Sequence, residues 1–176
     1  MSPGASSFRR ALGQFAAGVT LVATRDADGR PRGLTVTSFC SVSLHPPLVL
    51  VCIDKRADAH PVIAASGTFG VSVLSEAQER LSRHFAARGE RRFSGVELLA
   101  GKSGVPLLPG ALAHLECRVV ATHPGGDHSI FVARVTRLAV QPGRPLLHHA
   151  SAYHRLPRAA GSPGRYKASA GTRDRV

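Results

Sequence analysis

Tryptophan is absent from the 176-residue chain, tyrosine occurs twice and cysteine three times. Cys40, Cys52 and Cys117 are odd in number and form no Cys-x-x-Cys pair, which argues against a disulfide framework and a zinc knuckle. They suit a reducing compartment, and the expected location is cytoplasmic. Long apolar runs are missing too. The longest, Leu48 to Ile53, is far short of the roughly 20 residues a spanning helix needs, so no membrane segment is expected. Gly-x-Ser-x-Gly, His-Glu-x-x-His and Gly-x-Gly-x-x-Gly do not occur, and the nine histidines lack metal-ligand spacing. A hydrolase or a metalloenzyme is poorly supported, and no metal site is expected.

What is present is one domain's worth of chain, 43% apolar with the apolar residues evenly spread, which excludes a disordered protein. The net charge of +12 points to an anionic partner. Its distribution is diffuse, however. Segment 157–176 carries Arg158, Arg165, Lys167, Arg173 and Arg175 against Asp174, and the remaining surplus is scattered. Without basic–aromatic alternation, a nucleic-acid interface is not expected. The small, aperiodic residues of 157–176 read as a basic disordered tail on a domain spanning 1–156.

Phe8, Leu12, Phe15 and Val19 recur at helical spacing after Ser6 and Ser7, so an amphipathic helix explains Arg9-Arg10 better than a twin-arginine export signal does. From Gly18 the period becomes two, which predicts a strand. Asp28-Gly29 predicts a hairpin turn, with Gly33–Ser43 as the return strand. Leu48–Ile53, apolar at every position, reads as a strand buried on both faces. A short helix is expected over His60–Ser66 and a strand over Thr68–Leu74. Ser75 and Gln78 form a capping box for a helix to about Ala87. After a looped region, 88–110, come two long strands, Leu112–Thr122 and Ser129–Val140. About six hairpin-connected strands with two or three helices predict an antiparallel barrel, closed or partly split, that hides its edges.

Gly101-Lys102-Ser103 imitates the end of a phosphate-binding loop, but Gly95 lies six residues upstream instead of five and no buried strand precedes it. It reads as a surface turn. Thr35, Thr37, Ser41 and Ser43 share one face of the return strand with Phe39, while Ser38 takes the other. Such hydroxyls are ordinary on a solvent-facing strand. They also suit a planar, phosphorylated ligand, because hydroxyls and exposed N–H groups satisfy phosphate oxygens while an arginine supplies charge.

Three stretches carry a resemblance: Gly33–Asp54, Phe69–Gln78 with Phe85-Ala86, and Gly126-Asp127-His128. Occurring in this order, they resemble the flavin reductase family of the FMN-binding split-barrel fold, small enzymes that supply reduced flavin to two-component monooxygenases. The likeness covers about 8–156. It implies a mainly β fold, an antiparallel Greek-key split β-barrel with two or three flanking helices. It also implies hydride transfer from NADH or NADPH to FMN or FAD, a homodimer, and a monooxygenase partner. The cofactors carry that chemistry themselves, so the missing nucleophile and triad are consistent with it.

The resemblance further implies residue roles. Thr35, Val36 and Ser38 line the flavin ring and ribityl side with Ser41 nearby, and Asp54, Lys55, Arg56 and Ala57 offer backbone contacts to the polar edge of the ring. Arg83 and Phe85 approach the phosphate end. Gly126 and His128 face the nicotinamide nucleotide, joined by Tyr153, with His128 as the catalytic candidate. Ser72 and Asp58 depart from the residues common at those positions, which bears on flavin choice. Two rival readings are a split-barrel protein holding FMN as a prosthetic group, acting as a single-component oxidase or flavin store, and a basic, non-enzymatic nucleic-acid-binding module.

Overall fold

A computed structural model describes residues 4–87 and 93–157. The chain runs α1 (Ala5–Leu12), β1 (Ala17–Gly18), β2 (Thr20–Arg25), β3 (Pro31–Val36), β4 (Cys40–Ser43), β5 (Leu48–Asp54), α2 (Ala59–Ser66) and β6 (Thr68–Val73). A 3-10 turn (Glu76–Gln78) then leads into α3 (Glu79–Ala86). There follow β7 (Leu99–Ala100), β8 (Pro106–Leu107), β9 (Ala113–Gly125), β10 (His128–Val140), β11 (Leu146–His149) and β12 (Ala152–Arg155).

The main sheet has the order β3-β2-β6-β9-β10-β5-β4, antiparallel throughout. Strands β3 and β4 follow one another in the chain yet occupy opposite edges. Laid flat, seven strands would separate those edges by about 29 Å, while the four peptide steps from Val36 to Cys40 reach at most about 14 Å. The sheet therefore curls until its edges meet, which makes it a barrel. Ser38, inside the crossing, fastens the edges: its hydroxyl donates to the Cys52 carbonyl at 2.8 Å and accepts from the Cys52 amide at 3.2 Å.

This geometry corrects two expectations. The return strand foreseen over 33–43 is two strands, because the chain must leave one edge at Thr37–Phe39 to reach the other. Strand β5 is not buried on both faces. Val49, Val51 and Ile53 point into the core, but Leu48, Leu50 and Cys52 are only half-buried, since β5 lies one strand from the edge and its outer face is uncovered within the chain.

The interior holds Phe69, Val71, Phe131, Val51 and Ile53, with Ile63 of α2 packed on them. A second cluster, Leu21, Leu74, Phe85, Leu108 and Leu146, lies between the barrel and α3. Each fully buried Phe or Leu contributes about 1.5–3 kcal/mol. The first hairpin forms as expected, with Gly29 at φ +78° and the Asp26 carboxylate accepting from the amides of Asp28 and Arg30.

Other expectations need adjustment. Helix α1 is capped at Gly4 and not at Ser6 or Ser7, and its apolar residues Phe8 and Leu12 are exposed, as is Phe15 beyond it. Val19 belongs instead to the path between β1 and β2, where it is buried. The region 88–110 includes the β7–β8 pair. Strands β11 and β12, which join β1 in a three-stranded sheet, were not foreseen because their four-residue runs carry polar and small residues. The expected disordered tail falls, but for Pro157, outside the described residues.

Candidate functional site

Strands β5 and β10 are neighbours in register, with Asp54 opposite His128. That pairing brings two chemically rich turns together, Asp54–Ala57 after β5 and Gly125–Asp127 before β10. The Lys55 amide donates to the Asp127 carbonyl at 3.0 Å, and Lys55 Nζ donates to the Gly126 carbonyl at 2.6 Å. Gly126 sits at φ +67°, a left-handed conformation that glycine adopts without strain.

Asp54 grips Arg56 through the backbone amide (2.9 Å), Nε (3.2 Å) and an Nη (2.8 Å). Those bonds from Arg56 hold the Asp54 carboxyl well below the usual carboxylate range. Asp127 Oδ1 lies 2.7 Å from His128 Nδ1, and this contact lowers the Asp127 pKa. His128 remains accessible at the rim. Asp54, Lys55, Arg56, Asp127 and His128 thus form one charged edge.

The amides of Lys55, Arg56 and Ala57 already donate within the protein, to Asp127, Asp54 and Asp54 respectively. Ligand contacts from this turn fall to its side chains and carbonyls. At the β3–β4 crossing the situation is reversed. No backbone carbonyl among the described residues accepts from the amides of Thr37, Ser38 or Phe39, and the Thr37 and Ser41 side chains are exposed. Those donors suit the carbonyl and nitrogen edge of a flat heteroaromatic ring.

A second group lies further along β3. Thr35 Oγ1 donates to the Ser82 carbonyl on α3 at 2.9 Å, and Ser82 Oγ contacts the Tyr153 hydroxyl at 2.7 Å. Arg83 stacks 4.6 Å above the Tyr153 ring and is held by Glu79, with nitrogen–oxygen distances of 2.9 and 3.1 Å. The guanidinium still faces solvent, where it can meet a phosphate. Val36 and Phe85 are buried. The Phe85 ring packs against Phe93 at 4.7 Å, so it supports α3 from inside the core and does not present itself to a ligand.

Two other expectations are resolved by hydrogen bonds. The Ser72 hydroxyl is buried and accepts from the Leu108 amide at 2.9 Å, so it anchors the segment after β8. The turn imitating a phosphate loop is already filled by the buried Glu116 carboxylate. That carboxylate accepts from the Lys102 amide (3.0 Å), the Ser103 amide (2.7 Å) and the Ser103 hydroxyl. Among the described residues no cluster of three metal-ligating side chains occurs. Sequence reasoning named neither Ser82 nor Glu79, because nothing in the spacing of α3 reveals which residues β3 and β12 will meet.

The arrangement offers amides and hydroxyls that no partner occupies among the described residues for a ring edge, Arg56 and Arg83 for anionic groups, and a rim histidine for a second ligand. These residues fit a flavin and a nicotinamide nucleotide. Residues 12–157 match the flavin reductase like domain, and the chain belongs to that family. It is 45% identical over 150 residues to an NADH-dependent flavin reductase of a Rhodococcus species, covering 84% of each protein. To the reductase component of 4-hydroxyphenylacetate 3-monooxygenase from Thermus thermophilus it is 43% identical over 151 residues, covering 85% of this chain and 95% of that one. The solved NADH:FAD oxidoreductase of Streptomyces globisporus C-1027, in complex with NAD and FAD fragments, superposes with a TM-score of 0.83. That match has 41% identity and covers 89% of this chain and 94% of the other. The family and the mainly β split-barrel expectation hold.

Proposed function

We propose that this protein oxidises NADH, passes the hydride to FMN or FAD, and releases the reduced flavin to a separate monooxygenase. The observation that carries the reading is the meeting of the Asp54–Ala57 and Gly125–His128 turns beside the donor-rich β3–β4 crossing. The bound cofactors supply a hydride donor and a flavin acceptor, and the protein's task is to hold the two rings in contact at about 3–3.5 Å. Thr37 and the amides at 37–39 hold the ring edge, with Ser41 nearby. Arg56 and Arg83 take anionic groups, and His128 orients the dinucleotide. Ser38, Thr35 and Tyr153 act behind them, fixing β5 and α3. Steady-state NADH oxidation against added flavin tests the reading.

The protein works as a homodimer in the cytoplasm under the same proposal. Support for the dimer comes from the outer face of β5 and β10. Leu50 lies opposite Val132 and Cys52 opposite Ile130, and all four are half-buried in the single chain. Arg134 pairs with Arg118 at one end of this strip, while Asp54 and Asp127 lie at the other, roughly 20 Å along the strand. Like charges directly opposite are unfavourable alone. A two-fold axis crossing the apolar centre at right angles to the strands would set each basic end near the partner's acidic end. The free cysteines fit a reducing compartment, and no helix among the described residues is long and apolar enough to cross a membrane.

A further inference from the structure

His60 and Ser129 make a contact for which the site described above has no use. His60 Nε2 lies 2.8 Å from Ser129 Oγ. Ser129 is buried, and the His60 and Phe131 rings meet in an edge-type contact with centroids 5.4 Å apart and planes at 61°. Both are adjacent to the candidate chemistry in sequence. The His60 amide donates to the Ala57 carbonyl at 2.9 Å, which ties the first turn of α2 to the end of the Asp54–Ala57 turn. Ser129 follows His128 directly and pairs with Ile53, the residue before Asp54.

The two turns are thus joined twice. On the solvent side Lys55 reaches Gly126 and Asp127, through an exposed ammonium and one amide. On the core side His60 holds Ser129. Neighbouring strand residues point to opposite faces, so fixing the inward Ser129 hydroxyl also sets the angle at which His128 leaves the sheet. The solvent-side ammonium contact competes with water, while the inner contact is sheltered by Phe131 and packs as well as bonds.

We propose that His60 is a positioning residue for hydride transfer: through Ser129 it locks the His128 turn against the Asp54–Ala57 turn. The role rests on the reductase reading. It places no demand on His60 to touch either cofactor, and either tautomer serves, because the serine hydroxyl can donate or accept.

The test compares wild type with His60→Phe, Ser129→Ala, the double variant and His60→Gln, using NADH and NADH deuterated at C4. Loosened ring alignment lowers kcat by about tenfold to hundredfold in each single non-bonding variant. The flavin KM changes by less than about twofold, because binding groups remain in place. The primary isotope effect on kcat rises as transfer becomes the slow step. The double variant is no worse than either single one, and His60→Gln recovers most of the rate. A residue that only stabilises the fold would lower the melting temperature without moving the isotope effect. An unchanged kcat and isotope effect in Ser129→Ala, or losses that multiply in the double variant, would overturn the proposal. If wild type itself fails to oxidise NADH with flavin, the reductase reading falls. If wild type is active and the variants are indifferent, only the positioning role falls.

Discussion

The Ser38 hydroxyl contacts both the amide and the carbonyl of Cys52, so one side chain closes the barrel where its two edges meet. Ser38→Ala would strip both contacts at once. Leaving part-buried backbone groups unpaired costs about 1–3 kcal/mol. The denaturant midpoint is expected to fall accordingly, and flavin KM to rise, because the crossing that presents residues 37–39 would loosen. A midpoint equal to wild type would show that the edges hold without this clasp.

His128→Ala should separate the two ligands. His128 stands on the rim and its side chain contacts Asp127, so truncating it leaves the β3–β4 crossing untouched. NADH KM is expected to rise by about tenfold, the scale of one charge-assisted contact, and kcat to fall at least as far as in the His60 variants, while the flavin dissociation constant stays nearly constant. Titrating each ligand against the variant checks both halves. An unchanged NADH dependence would remove His128 from the site.

Glu116 gives the fold an acid-sensitive element. Burial pushes its carboxyl up, but the Ser103 hydroxyl and amide, the Lys102 amide and nearby Arg137 together bring it below the ordinary value. A depressed folded pKa means that ionised Glu116 favours the native state above the unfolded glutamate value of about 4.3, and that this advantage is lost as pH falls through the folded value. Wild-type stability is expected to decline with acidification from about pH 5 downward. Glu116→Gln should be less stable at neutral pH and flatter across that range. Denaturation curves at several pH values decide it, and a parallel decline in both proteins would refute the assignment.

Much of the barrel was legible in sequence because turns and caps are local. Asp28-Gly29 formed its hairpin, the short helix that opens at His60-Pro61 is present, and Ser75 and Gln78 form the capping box. What escaped was non-local. Nothing within Gly33–Ser43 says that its halves pair with different strands, since Thr37–Phe39 resembles the residues on either side. The outward face of β5 looks like core in sequence because Leu48, Leu50 and Cys52 are as apolar as the residues that point inward. The site was divided in the same way. The hydroxyl stretch stands out in the sequence and the Gly126-Asp127-His128 turn is carried by the family resemblance, whereas the Tyr153–Ser82–Thr35 chain spans elements 47 and 71 residues apart and has no local signal.

The half-buried face of β5 and β10 gives the homodimer its own test. Leu50→Asp places a charge at the centre of the apolar strip without touching the inward side of the strand. Sedimentation is expected to show a dimer for wild type and a monomer for the variant, because an unpaired charge buried in an interface costs several kcal/mol. A variant that remains dimeric would move the interface elsewhere.

Hydride transfer to free flavin is read by following the nicotinamide absorbance band while FMN or FAD is titrated into purified protein with NADH. NADH loss is expected to depend on added flavin and to saturate with it, with reduced flavin accumulating when oxygen is excluded. NADH that stays intact at every flavin concentration would contradict it.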